Sequence, residues 1–266
     1  MASRPQRSLR REYELYLEDE IENYKESISR SALLSIGDEA ARNLASEQQF
    51  ALTELLLCEE VDRLIARRLR LPAYSTWRRR RVKVMAELRR PERWGLRPDD
   101  AIVRAVHPSP EGHVLLAGVE AERSALYLAA NGCEVTAIGS EEDSIQRVID
   151  AAEEVGLGER VHVALADLST WVPASKLVAV VCAAHALADL SPKARARAIE
   201  ALQRATADGG VHLVKACDDD VVRVNLDELM SKYRGWDVSV ERSVGELADT
   251  FMARKISCAS VSDRHR

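Results

Sequence analysis

At 266 residues the chain is long enough for one large domain or two smaller ones. Its apolar share of 46% and charged share of 30% are those of a globular protein with a solvated surface, and its net charge is −5. No run of about 18 apolar residues is present, which excludes a membrane-spanning helix.

The N-terminus Met1-Ala2-Ser3-Arg4-Pro5-Gln6-Arg7 is basic but lacks the apolar centre of a signal peptide, so a cytoplasmic protein is expected. The five cysteines, Cys58, Cys133, Cys182, Cys217 and Cys258, are dispersed without a Cys-x-x-Cys pair and read as reduced core thiols. The six histidines are equally scattered, so no metal site is expected.

Residues 1–9 read as a loose basic tail. Glu12 to Ser29 carries Leu17, Ile21, Tyr24 and Ile28 at helical spacing. Gly37-Asp38 is expected to break the chain, with Asp38 capping the next helix. Glu39 to Leu71 is again apolar at helical spacing, with an internal bend or second break, and Pro72 stops it. Ser75 or Thr76 is placed to cap a helix from Trp77 to about Arg89, and Pro91, Gly95 and Pro98 mark a connector. A helical N-terminal module over residues 1–105 follows from these segments.

Charge divides this module sharply. Residues 11–62 hold 4 basic and 14 acidic side chains, and residues 63–104 hold 14 basic and 4 acidic. Arg78-Arg79-Arg80-Arg81, near Trp77 and Trp94, has the composition of a nucleic-acid patch. Pairing with the acidic helices, within the module or across a homo-oligomer, is the favoured reading, because an acidic protein is not steered to nucleic acid.

From residue 106 the pattern changes to strands alternating with helices, giving an α/β domain over residues 106–266. Val114–Ala117 is an apolar run that stops at Gly118. A helix of about three turns follows and ends at Asn131-Gly132. Val135–Ile138 is a second apolar run and stops at Gly139. This strand–helix–strand unit implies a parallel pair with a right-handed crossover. Further strands are expected at Val161–Leu165, Lys176–Cys182 and Val211–Ala216, with helices at Glu142–Val155, Pro192–Ala207 and Leu226–Tyr233. Trp236–Glu241 and Thr250–Lys255 alternate as a terminal antiparallel hairpin. Ligands of such sheets bind at the carboxyl ends of the strands.

Arg123-Ser124-Ala125-Leu126-Tyr127-Leu128-Ala129-Ala130-Asn131-Gly132 resembles the first helix of the tellurite-resistance branch of class I S-adenosylmethionine (SAM) methyltransferases. Ala166-Asp167-Leu168, Asp208-Gly209-Gly210, Gly245-Glu246-Leu247 and Phe251-Met252-Ala253-Arg254-Lys255 extend the likeness over roughly residues 112–257. The resemblance implies a Rossmann-like, seven-stranded sheet, SAM as cofactor and a small soft nucleophile as methyl acceptor. It also implies cofactor contacts at Gly118, Glu120, Gly139, Ser140, Asp167 and Leu168.

The departures from that pattern carry physical consequences. The acid of the first strand is replaced by Leu116, and two loop glycines by Glu120 and Glu122. Gly139 stands where an acid would grip the ribose hydroxyls. Glycine lets backbone approach a ligand, and each charge-assisted hydrogen bond lost is worth about 1.5–3 kcal/mol. The loop therefore reads either as an altered nucleotide pocket or as the plain turn of a domain without ligand. In the second case the protein is a non-catalytic scaffold that binds a protein partner.

Asp167 reads as an adenine contact or as a loop cap. His185, just past the fourth strand, is a candidate general base near a methyl acceptor or a structural histidine at a strand end. Cys182 has no paired base and reads as a core thiol.

Overall fold

The computed structural model of the protein describes residues 8–46, 54–107, 112–118, 121–215, 226–242 and 249–256. Two compact units divide the chain between Val84 and Met85, earlier than the 105/106 division read from the sequence.

In the N-terminal unit, α1 (Leu9–Ser27) starts at the Ser8 side chain, which accepts from Arg11 N. The next helix, α2 (Arg30–Ser46), runs straight through Gly37 and Asp38, so the expected break is not there. Ser29 makes the break instead: its Oγ accepts from Ala32 N and its carbonyl from Leu33 N, capping α2. Gly37 sits between buried Ile36 and Ala40 on the face packed against α3 (Glu54–Arg68). The apolar stripe outweighs the modest helix penalty of a single glycine, about 1 kcal/mol. Ile21, Ile36, Ala40, Leu64 and Ile65 form the core of this unit. α4 (Tyr74–Leu88) begins here; Tyr74 and Trp77 on it meet Tyr13 and Tyr16 of α1 in a ring cluster.

The second unit contains a seven-stranded sheet. Its strands are β1 (His113–Ala117), β2 (Glu134–Gly139), β3 (Val161–Leu165), β4 (Leu177–Ala183), β5 (Thr206–Lys215), β6 (Trp236–Arg242) and β7 (Asp249–Lys255). They lie in the order β3-β2-β1-β4-β5-β7-β6. β1 to β5 are parallel, and β7 pairs antiparallel with both β5 and β6. This is the Rossmann-like sheet with a terminal antiparallel hairpin that the alternation of segments predicted.

Both faces of the sheet are covered, which is why β1 and β4 are apolar along almost their whole length. One core packs α5 (Ala101–Ala105), α6 (Ala121–Ala130) and α7 (Glu142–Glu154) on the sheet. Leu88 and Leu96 join it, so the Pro- and Gly-marked segment expected to be a connector is part of the core. Trp94 Nε1 donates to Leu88 O, and Arg89 Nε donates to Ala130 O at the end of α6, fastening that segment. The other core packs α8 (Ala184–Ala188), α9 (Pro192–Ala205) and α10 (Leu226–Lys232) on the opposite face.

β5 starts earlier than the sequence pattern suggests. Its register with β4 slips between the pairs Leu177↔Thr206 and Ala179↔Val211, and Asp208-Gly209-Gly210 lies in the resulting bulge. A Cβ on Gly210 would stand 2.5 Å from Thr206 Cγ2, 2.9 Å from Ala207 O and 3.1 Å from Val178 O. Two of these obstacles are backbone and cannot swing away. Gly210→Ala is expected to cost about 1–3 kcal/mol, read as a lower urea midpoint with an unchanged slope.

A buried polar chain holds β5 to the hairpin side. Thr206 Oγ1 donates its single proton to Leu202 O at 2.7 Å, so it can only accept from His212 Nε2, also at 2.7 Å. The imidazole is thus the Nε2–H tautomer, and its Nδ1 accepts from Tyr233 Oη at 2.8 Å. His212 is 1% exposed. Burial, with the nearby Lys255 ammonium, depresses its pKa to about 3, and burial raises that of the Tyr233 phenol.

The unfolded chain takes up this proton below about pH 6.5, while the folded chain resists until about pH 3. The stability tied to neutral His212 is therefore complete above pH 6.5 and is lost as pH falls through that window, with a slope of up to about 1.4 kcal/mol per pH unit. His212→Gln keeps a donor and an acceptor but removes the titration. Urea unfolding at pH 7 and pH 5 is expected to show a smaller pH-dependent loss in this variant; equal losses would assign the effect to other groups.

Candidate functional site

The parallel registers bring four strand ends to one edge. Ala117 is level with Ile138 and Cys182, and Gly139 is level with Leu165. Gly118, Gly139-Ser140, Asp167-Leu168 and Ala183–His185 all follow at the carboxyl edge of β1 to β4. The chain leaves β1 and β4 in different directions across the sheet, so this edge is the topological switch point.

Gly118 is the tightest position at this edge. Its φ is +119°, a conformation that suits only glycine. A Cβ there would also stand 2.5 Å from Ala183 Cβ and 3.3 Å from both Cε1 and Nε2 of His185. The ends of β1 and β4 therefore touch through Gly118, and the His185 imidazole lies directly over that contact. Glu120 lies outside the described residues.

The other predicted positions divide. Leu116, in the place of the first-strand acid, is 1% exposed and packs in the core beneath α6, so it presents nothing to a ligand. Glu122 lies in the first turn of α6. Its negative charge complements the helix N-terminus, which would otherwise favour an anionic ligand. Gly139 has open surroundings; a Cβ would meet only Ile145 Cγ1, at 3.8 Å, and its φ is not positive. An acid at this position is sterically free to form. Ser140 is exposed. Glu141, in the next turn, accepts from Ser144 Oγ at the start of α7.

Asp167 works in its own loop. Its Oδ1 accepts from Ser169 N at 2.8 Å, Ser169 Oγ at 2.6 Å, Thr170 N at 3.0 Å and Thr170 Oγ1 at 3.1 Å. The bond from the Ser169 hydroxyl leads the group of bonds that holds this carboxyl below its usual pKa. Leu168 is 4% exposed and belongs to the core, alongside Leu115 and Ile138. Cys182 is fully enclosed, and burial pushes its thiol up to about 12, which leaves no thiolate for nucleophilic work.

The short helix α8 was not legible in the sequence. It carries His185 and follows β4 without a break. Nor was Arg195, whose guanidinium reaches back to the carboxyl end of α8: Nε donates to Leu187 O, and Nη2 to Ala188 O and Leu190 O. One signal was available, since Arg195 falls on the same helical stripe as the buried Ala198, Ile199 and Leu202.

Away from this edge, Arg81 Nε pairs with Glu12 of α1 at 3.2 Å, while Arg78, Arg79 and Arg80 are exposed. Among the described residues no group of three or more His, Cys, Asp or Glu side chains is arranged to hold a metal ion. No described helix is long and apolar enough to cross a membrane.

Comparison with known proteins places this geometry. The family model for tellurite resistance protein TehB matches residues 97–254. Curated proteins give no match. Among solved structures, TehB from Haemophilus influenzae is similar at 24% identity and a TM-score of 0.46, over 54% of this chain and 57% of that one. An rRNA methylase from Streptococcus thermophilus is similar at 15% identity and a TM-score of 0.46, over 56% and 90%. The N-methyltransferase NodS from Bradyrhizobium japonicum WM9, in complex with S-adenosyl-L-homocysteine, is similar at 19% identity and a TM-score of 0.43, over 65% and 95%. The chain thus spans little more than half the length of the Haemophilus TehB structure. Since the matched residues make up more than half of its own length, the chain belongs to the tellurite resistance protein TehB family.

Proposed function

We propose that the sheet unit is a SAM-dependent methyltransferase with weakened cofactor affinity, acting on a small soft nucleophile. The observation that carries this reading is Gly118 at φ +119°, packed against Ala183 with His185 over it at the switch point. A glycine lets backbone come close to a ligand, and ligands of this sheet type sit at this edge of the sheet.

The residues present fit the cofactor in part. Gly118 and the turn after β2, with Gly139 and Ser140, would hold it, and the Asp167 loop would flank it. When bound, SAM supplies an electrophilic methyl group. The chain supplies position: the rigid ends of β1 and β4 limit how an acceptor can approach, and such placement accounts for much of catalysis in transfer reactions. His185 would take the proton of a protonated acceptor; its ring already lies beside Gly118. A thiolate or similar soft anion would need no such help.

A second reading is a non-catalytic scaffold that keeps the fold. It is favoured by the buried Leu116 in the acid's place and by the acid Glu122 in the first turn of α6.

Isothermal calorimetry with SAM and S-adenosylhomocysteine separates the two. Binding in the micromolar range supports the enzyme; silence at millimolar ligand supports the scaffold. Gly139→Asp restores a ribose acceptor where there is room for it, so it is expected to tighten binding about tenfold, the scale of one charge-assisted hydrogen bond, with an unchanged melting temperature. A folded variant that binds no better would remove β2's end from the cofactor site.

A further inference from the structure

We infer that Arg195 is a positioning residue for the methyl-transfer site: it holds α8, and with it the imidazole of His185, against the Gly118 turn. The inference rests on the methyltransferase reading for its functional meaning, although the clamp itself is a matter of geometry.

α8 has only five residues, Ala184–Ala188. A helix this short does not persist through its own hydrogen bonds. Its last carbonyls have few partners within the helix and need donors from outside. Asp189 N returns to His185 O, and Leu190 N to Leu187 O. One guanidinium supplies further donors to this end. Arg195 Nε donates to Leu187 O at 2.8 Å, and Nη2 donates to Ala188 O at 3.3 Å and to Leu190 O at 3.2 Å. A permanent cation at a helix carboxyl end also meets the negative end of the helix dipole.

The clamp has a fixed base. Arg195 stands in the first turns of α9, which opens with Pro192 and is capped by Ser191 Oγ accepting from Ala194 N. Its side chain is only 15% exposed, so few other rotamers are open to it. The remaining arm, Nη1, donates to Glu228 Oε2 of α10 at 3.2 Å. α8 follows β4, and α10 follows β5 after residues 216–225. One planar group thus joins α8, directly after β4, to α10. Lysine, with a single ammonium, cannot reproduce this four-acceptor fork.

His185 bears directly on the outcome, because it sits one residue into α8 and its ring packs at the Gly118 turn, where a shift of one ångström changes what an acceptor meets. The neighbouring arginine on the same helix, Arg197, is exposed and serves as an internal control.

The test compares Arg195→Ala and Arg197→Ala in the full chain. Amide hydrogen exchange over residues 184–190 and the ring resonance of His185 are read first, with no ligand. Arg195→Ala is expected to speed exchange in this segment by at least about tenfold, the scale of one lost hydrogen bond, and to move or broaden the His185 signal, while exchange in β1 and β4 stays protected. Arg197→Ala is expected to change neither. In calorimetry and turnover, Arg195→Ala is expected to lower kcat more than it raises KM for the acceptor. A folded Arg195→Ala whose 184–190 exchange and His185 signal match the parent overturns the inference. Should the alanine variant not fold, Arg195→Gln, which keeps most of the apolar stem and an amide donor but no charge, is held to the same criterion. A parent chain that binds no SAM sinks the methyltransferase reading alone; the exchange result then still decides the clamp.

Discussion

The lack of space for a Cβ at Gly118 is the constraint around which the sheet unit is arranged. β1 and β4 are neighbours in the sheet although a crossover through β2 and β3 separates them in sequence. Their carboxyl ends close on one another with Ala183 Cβ 2.5 Å from where a side chain on Gly118 would begin. That approach sets where the chain turns out of β1 toward α6 and where β4 passes into α8. It also sets the first residues of α8, His185 among them, against the Gly118 turn. Moving this contact would move every element that borders the site.

Around that fixed point the surroundings differ in tightness: Gly118 is enclosed, whereas Gly139 has open space. Leu116 lies in the core, and Glu122 stands in the first turn of α6. Leu116 adds apolar surface to the core, and the charge of Glu122 complements the N-terminal end of α6. The Asp167 carboxylate is engaged by its own loop.

The buried polar chain Thr206–His212–Tyr233 and the Arg195 fork have complementary tasks on one side of the sheet. The first joins β5 to the segment after α10 through neutral hydrogen bonds that specify one histidine tautomer. The second joins α8, α9 and α10 through a charge that cannot be titrated away. Between them, the segments that frame the site are tied back to strands rather than left to loop stiffness.

Much of the architecture could be read from residue order, because it follows from periodicities local to each segment. Apolar runs ended by Gly118 and Gly139, a helix ended by Asn131-Gly132, and the alternating terminal pair are enough to specify a parallel sheet with an antiparallel hairpin. The family signature at Arg123–Gly132 was equally local. Tertiary structure alone decided three matters. Gly37 stays helical because Ile36 and Ala40 pack against α3, a gain that sequence spacing does not display. Asp208-Gly209-Gly210 forms a bulge within β5 rather than a turn before it, because its partner strand continues alongside. His185 becomes a neighbour of the Gly118 turn only once α8 forms, and so short a helix has no periodicity of its own to read; its last carbonyls meet the Arg195 guanidinium from the next helix.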